Sequence, residues 1–209
     1  MASTATTVED LLGLAIRHVN AGQRERARML CEHAVAAHPP HPGVLQLLAL
    51  LDLQQGAAAV ASQRAQASLA LRPDHLPTLL LSADAARRAG DARLAASALE
   101  RIVVIAPDQA DAWFQLSLLR QDGNDLAGAA IALRQVLRID PGRAEAHVNL
   151  GIVLQDSGRA DDAMQEYGQA YRLREDTFGR IAHALSTPSV GRLWLDLDAL
   201  RDALRAPPS

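Results

Sequence analysis

Near its C-terminal end the chain lays out an apolar stripe. Leu193, Trp194, Leu197, Leu200 and Leu204 share one face if this stretch is helical, while Arg201, Asp202 and Arg205 fall mostly away from it. Just upstream, Phe178, Ile181, Ala182 and Leu185 also recur at helical spacing, and residues 186–191 break the pattern. At the other end Thr7 and Asp10 read as a capping box that starts a helix at Val8. Between these ends the pattern repeats with a fixed step of 34 residues. Pro39, Pro73, Pro107 and Pro141 keep that step, as do Ala27, Ala61, Ala95, Ala129 and Ala163. A second small-residue ladder runs Ala15, Ala49, Ala83, Ser117, Gly151. Leu14, Leu48, Leu116 and Leu150 form another, with Ser82 as its exception. Gly22, Gly56, Gly90 and Gly158 mark one further position, taken by Asn124 in the fourth unit.

Each ladder has a physical reason. The glycines stand where one helix stops and the chain reverses, which favours a residue tolerant of positive φ. Small residues let two helix backbones approach closely. The prolines end the second helix, since proline cannot continue the helical hydrogen-bond ladder. Each unit therefore reads as a helix, a tight turn, a second helix and a proline-marked exit. The predicted organisation is an N-terminal tail (1–7), five repeats (8–41, 42–75, 76–109, 110–143, 144–177), two C-terminal capping helices (178–206) and a short tail (207–209). That makes twelve helices. Burying the five stripe side chains is worth on the order of 10 kcal/mol as an upper bound, so the stripe is expected to be covered. It either caps the last repeat, folds back into the groove of the array, or pairs with another chain.

The stretch from Ala110 to Asp176 resembles the tetratricopeptide repeat family. Trp113 stands at the family's first-helix aromatic, Leu116–Ser117 and Leu150–Gly151 at its Leu-Gly pair, Ala163 at its second-helix small residue, Tyr167 at the following aromatic and Pro141 at the terminal proline. Repeats one to three lack the aromatics, and the fifth has Glu175 in place of the proline. The resemblance implies an all-α, right-handed solenoid of antiparallel helix pairs whose first helices line a concave face. Carried over by position, the partner-binding groove would comprise Leu12, Ile16 and Val19; Gln46, Leu50 and Leu53; Leu80, Asp84 and Arg87; Phe114, Leu118 and Gln121; and Val148, Ile152 and Gln155. The alternative is that these residues only pack neighbouring helices. The carboxylate clamp of the family's chaperone cofactors is missing, because its places read Leu12, Ile16, Leu50, Leu80 and Asp84. The asparagine ladder of the O-linked N-acetylglucosamine transferase repeats survives only at Asn149. A mostly apolar groove suits an amphipathic helix better than an extended polar peptide.

Composition narrows the chemistry. Apolar residues, chiefly Ala and Leu, make up 49% of the 209 residues and aromatics only 3%, a mix that favours helices over sheets. The net charge of −3 argues against a nucleic-acid partner. All basic residues are arginine, which excludes Schiff-base, P-loop and kinase-type lysines. A lone cysteine, Cys31, rules out an internal disulfide. No leader peptide or membrane-length apolar run is read, so the expected location is cytoplasmic, without membrane insertion. Cys31, His33, His38 and His41 crowd together, but Cys31 and His33 point about 200° apart on a helix and no zinc spacing is met. Cys31 also falls in the slot of Ala65, Leu99, Leu133 and Tyr167, and is read as core. His147 falls in an aromatic slot and reads as packing. No catalytic residues, metal or cofactor are expected. The sequence points to a non-enzymatic interaction scaffold or adaptor that takes a helical or apolar segment of a protein partner. The alternative is an accessory or substrate-recruiting module of a transferase- or hydroxylase-type complex. Self-association through the C-terminal helix is a further alternative.

Overall fold

The computed structural model describes residues 7–186 and 196–206, and divides into two compact units, Met1–Ile105 and Ala106–Ser209. Among the described residues every regular element is helical. The first unit contains α1 (Val8–Asn20), α2 (Arg24–Ala37), α3 (Pro42–Gln54), α4 (Ala58–Leu71), α5 (Leu76–Arg88) and α6 (Ala92–Ile105). The second contains α7 (Ala110–Asp122), α8 (Leu126–Ile139), α9 (Ala144–Asp156), α10 (Ala160–Leu173), a 3₁₀ turn (Glu175–Thr177), α11 (Phe178–Ser186) and α12 (Leu197–Arg205). Odd-numbered helices from α1 to α11 begin 34 residues apart, and so do even-numbered ones from α2 to α10. Helix α11 thus keeps the register of a first helix, whereas α12 starts out of step.

The turns inside the pairs are identical in construction. Gly22, Gly56, Gly90 and Gly158 have φ between 75° and 83°, and Asn124 takes φ 60° in the fourth. Around Gly22 the Gln23 N–H donates to His18 O (2.8 Å) and the Gly22 N–H to Val19 O (2.9 Å). These two bonds define a Schellman motif, which needs a left-handed residue where glycine meets no Cβ penalty. The equivalent long bond recurs from Ala57 to Asp52, Asp91 to Ala86, Asp125 to Arg120 and Arg159 to Leu154. At the N-terminus Thr7 and Asp10 form the reciprocal capping box at 3.1 Å in both directions, and the Thr7 hydroxyl (2.9 Å) and then its backbone N–H, both donating to Asp10 Oδ2, hold that carboxyl below its ordinary value.

In the first unit the core of repeats one and two gathers Leu11, Ala15, Ala27, Cys31, Val44, Leu48 and Leu51. Asp52 is buried there at 4% exposure. Its two oxygens meet Arg28 of α2 (2.8 Å) and Arg64 of α4 (2.7 Å), so one carboxylate on α3 ties the helix before it to the helix after it. A buried carboxylate persists only when its charge and lone pairs are met in this way.

In the second unit the core centres on Tyr167, packed among Leu133, Val136, Leu150, Ile181, Leu200 and Leu204. A Cβ on Gly151 would lie 2.4 Å from Tyr167 Cε1, so the glycine makes room for the ring. The Tyr167 hydroxyl donates to Gln155 Oε1 (3.0 Å), and Gln155 Nε2 donates to Ala184 O of α11 (3.0 Å). With Glu175 in the proline slot, the chain leaves α10 at Arg174 in an extended conformation and makes one 3₁₀ turn before α11. Helix α12 lies on α10. Leu200 and Leu204 are fully buried, Arg172 Nη1 donates to the carbonyls of Leu204 (3.0 Å) and Ala206 (2.8 Å), and Arg201 stacks 4.3 Å over Phe178. The expected five-residue stripe is therefore partly realised. Leu197 is 53% exposed, because it is the first residue of a helix that Asp196 caps, outside the patch centred on Leu200 and Leu204. Leu193 and Trp194 lie outside the described residues.

Candidate functional site

The first helices of the first unit enclose a cleft of about 400 Å³. Helix α1 contributes Leu12 and Ile16, one turn apart; α3 contributes Gly43, Gln46, Leu47 and Leu50; Arg72, His75, Pro77 and Leu81 come from the α4–α5 corner and α5. A Cβ on Gly43 would lie 2.8 Å from Leu12 Cδ2, so glycine lets the start of α3 close on α1. Four residues expected in the groove, Leu12, Ile16, Gln46 and Leu50, meet here. Val19 does not line the cleft and packs against the core. Leu53 is buried against Ala61 and Ala85. In the third repeat the cleft takes Pro77 and Leu81. Leu80, one residue and about 100° away on the helix, is exposed and outside it. Asp84 is held by Arg87 (2.8 Å) and Arg88 (2.9 Å), and these arginines keep its carboxyl below the ordinary value despite the opposing pull of burial.

In the second unit Phe114 is half-buried beneath the Arg143 guanidinium (4.3 Å), Leu118 is exposed and Gln121 is half-buried. Val148 is buried in the core and packs helices, while Gln155 is buried and held between Tyr167 and Ala184. Ile152 and Gln155 border a second cleft of about 310 Å³, shared with Asp156, Arg180 and His183. Asn149 is also buried, and its Oδ1 accepts from Arg180 (2.8 Å).

Cys31 is buried, and burial pushes its thiol up to about 11, which removes thiolate reactivity near neutral pH. Among the described residues no group of three or more His, Cys, Asp or Glu is arranged to hold a metal ion. His147 bonds Glu166 through Nδ1 (2.6 Å) and reaches Pro141 O through Nε2 (3.2 Å). One repeat earlier Trp113 Nε1 donates to Pro107 O (2.9 Å). His147 thus replaces the aromatic and makes the same tie to the proline of the preceding exit.

Two features lie outside the residues singled out as sites in the sequence. The Asp52 pairing is one, since its charges follow no ladder. The other is a cleft of about 400 Å³ between α4, α5 and α6, bordered by Leu69, Leu79, Ser82, Leu94 and Ala98. Ser82 holds the place of buried Leu48, Leu116 and Leu150, and its hydroxyl is buried without a hydrogen-bond partner. The break in the leucine ladder is the one visible signal for it.

The helices thus form an all-α array of antiparallel pairs on a 34-residue step, the architecture of a repeat scaffold. Residues 80–176 are tetratricopeptide repeats: two models described as "Tetratricopeptide repeat" match residues 80–144 and 119–176. No curated protein matches the sequence. Among solved structures, the chain is similar to YrrB, described as "a TPR protein with an unusual peptide-binding site", at 17% identity and TM-score 0.77, covering 85% of this chain and 91% of that one. It is similar to MamA of AMB-1 at 20% identity and TM-score 0.72 (80% and 92% covered). It also resembles a MamA fragment from Desulfovibrio magneticus RS-1 at 19% identity and TM-score 0.68 (83% and 98% covered). Identities this low establish a shared fold. Among the described residues no helix is long and apolar enough to cross a membrane.

Proposed function

We propose that the protein is a non-enzymatic interaction scaffold whose cleft between α1, α3 and α5 takes a helical or apolar segment of a partner protein. The observation that carries this reading is the cleft itself. Ile16 and Leu50 stay 44% and 36% exposed on its walls, in a cavity within the size range of specific binding sites, roughly 300–1,000 Å³. Such side chains gain by being covered, and an amphipathic helix presents apolar anchors at matching intervals. YrrB carries a peptide-binding site on the same fold, which supports a peptide ligand here.

The test is affinity capture from the native cell with the wild type and with Ile16→Asp/Leu50→Asp. Both positions are exposed, so the variant is expected to keep its helical circular dichroism and thermal transition. The scaffold reading requires partners recovered by the wild type to be lost with the variant. Undiminished recovery with the fold intact refutes it.

A further inference from the structure

The apolar cleft carries a charge bias. None of its ten lining residues is Asp or Glu, whereas Arg72 and His75 stand together where the chain leaves α4 and enters α5. Carboxylates in the same unit that could balance them are engaged elsewhere. Asp74 pairs with Arg101 (3.1 Å), Asp84 with Arg87 and Arg88, and Asp52 with Arg28 and Arg64. The Arg72 side chain is exposed and makes no hydrogen bond or ion pair with any described residue. The His75 imidazole is held below its ordinary value by burial first and by Arg72 second, so Arg72 supplies the positive charge at neutral pH.

Two helix starts add to the bias. Helices α3 and α5 begin beside the cleft without a side-chain cap and without an acidic residue in the first turn. Helix α1, by contrast, carries Glu9 and Asp10 there. The partial positive charges of the α3 and α5 N-termini are therefore uncompensated. The position of Arg72 at the C-cap of α4 suits that helix's dipole, but the dipole alone does not require the cleft to lack every carboxylate.

We infer that the cleft selects an acidic amphipathic segment of a partner protein, its apolar side chains lying against Ile16, Leu50 and Leu81 and a carboxylate meeting Arg72. This rests on the scaffold reading and specifies the partner's chemistry. An exposed arginine left unpaired at the mouth of a low-dielectric groove attracts an anion from water and rejects a cation, so it sets specificity more than raw affinity.

The experiment uses the full chain and two synthetic helical peptides, identical in their apolar residues, one with Glu and one with Lys at the flanking positions. Fluorescence anisotropy of the wild type is expected to give about tenfold tighter binding of the Glu peptide, with the preference shrinking as salt is raised. Arg72→Glu, at an exposed position, is expected to reverse the preference, and Leu50→Asp to abolish binding of both peptides. Equal affinities in the wild type, or an unchanged preference in Arg72→Glu, overturn the acidic-partner inference. If Leu50→Asp still abolishes binding in that case, the scaffold reading stands. Binding of neither peptide counts against both. A third peptide spans residues 187–199 of this chain, with its apolar run next to Asp196 and Asp198. Tighter binding of that peptide than of the Glu peptide assigns the cleft to the chain's own segment and overturns an external partner.

Discussion

Replacing Gly151 by alanine tests whether the fifth repeat is built around its tyrosine. The added Cβ would lie 2.4 Å from Tyr167 Cε1, 2.6 Å from Cδ1 and 3.0 Å from Cζ, where carbon atoms normally rest at about 3.5–4.0 Å. The ring has to move by about 1 Å, yet it is fully buried and its hydroxyl is bonded to Gln155. Overpacking of this kind costs about 1–3 kcal/mol, and losing the hydroxyl bond adds about 1 kcal/mol. Alanine returns about 1 kcal/mol of helix propensity. The net expectation is a loss of about 2 kcal/mol in urea unfolding followed by circular dichroism. Leu99 and Leu133 occupy the Tyr167 slot in repeats three and four, where Ala83 and Ser117 stand in the Gly151 slot. Gly151→Ala combined with Tyr167→Leu should therefore lose less than the sum of the two single changes, by at least about 1 kcal/mol. Additive losses, or a Gly151→Ala protein as stable as the wild type, would refute the size-matching argument.

Other outcomes follow from the same structure. Ser82→Leu restores the interrupted ladder and removes an unpartnered hydroxyl, so it should raise stability in urea by about 1–2 kcal/mol; a fall would mean that the cleft cannot hold the side chain. Asp52→Ala leaves two partly buried arginines without their shared carboxylate and should cost about 2 kcal/mol, more than Arg64→Ala, when both are unfolded in urea. Cys31 should react with a thiol reagent at pH 8 only after unfolding, and equal rates for native and unfolded protein would contradict its burial. Because folding raises this thiol from 9.0 to about 11, its contribution to stability is complete below pH 9 and should be lost as pH rises through about 11. A Cys31→Ala protein should lack that component of the alkaline decline.

The turns are legible in the sequence because each one imposes the same backbone demand, and few residues meet it. Asn124 shows this best: it breaks the glycine ladder, yet it is a residue type that tolerates the left-handed φ the turn requires. The start of α1 is legible for the same reason, since its capping box acts locally. The cleft is harder. Place in the first helix is enough to find Leu50 and Ile16, but it selects Leu80 where the cleft takes Leu81, because one residue turns a helix by about 100°. Leu53, Val148 and Gln155 read as groove residues, and their burial depends on what packs across them. For Gln155 the partners are a tyrosine twelve residues away and a carbonyl 29 residues away, and no local pattern announces either. The same holds for Asp52, whose partners lie 24 and 12 residues distant on different helices.

That carboxylate sets where the array can be divided. Repeat proteins are commonly treated as chains of units whose stabilities add, with nearest-neighbour terms that vary little along the stack. Asp52 makes one of those terms unequal. A fragment beginning at Pro42 would lose the apolar cover of α1 and α2, as any cut would impose, and would also strip Arg28 from a carboxylate seated in what had been interior. The first two repeats should therefore melt and refold as one cooperative block, so the smallest part that can be exchanged or removed at the N-terminal end is a pair of repeats.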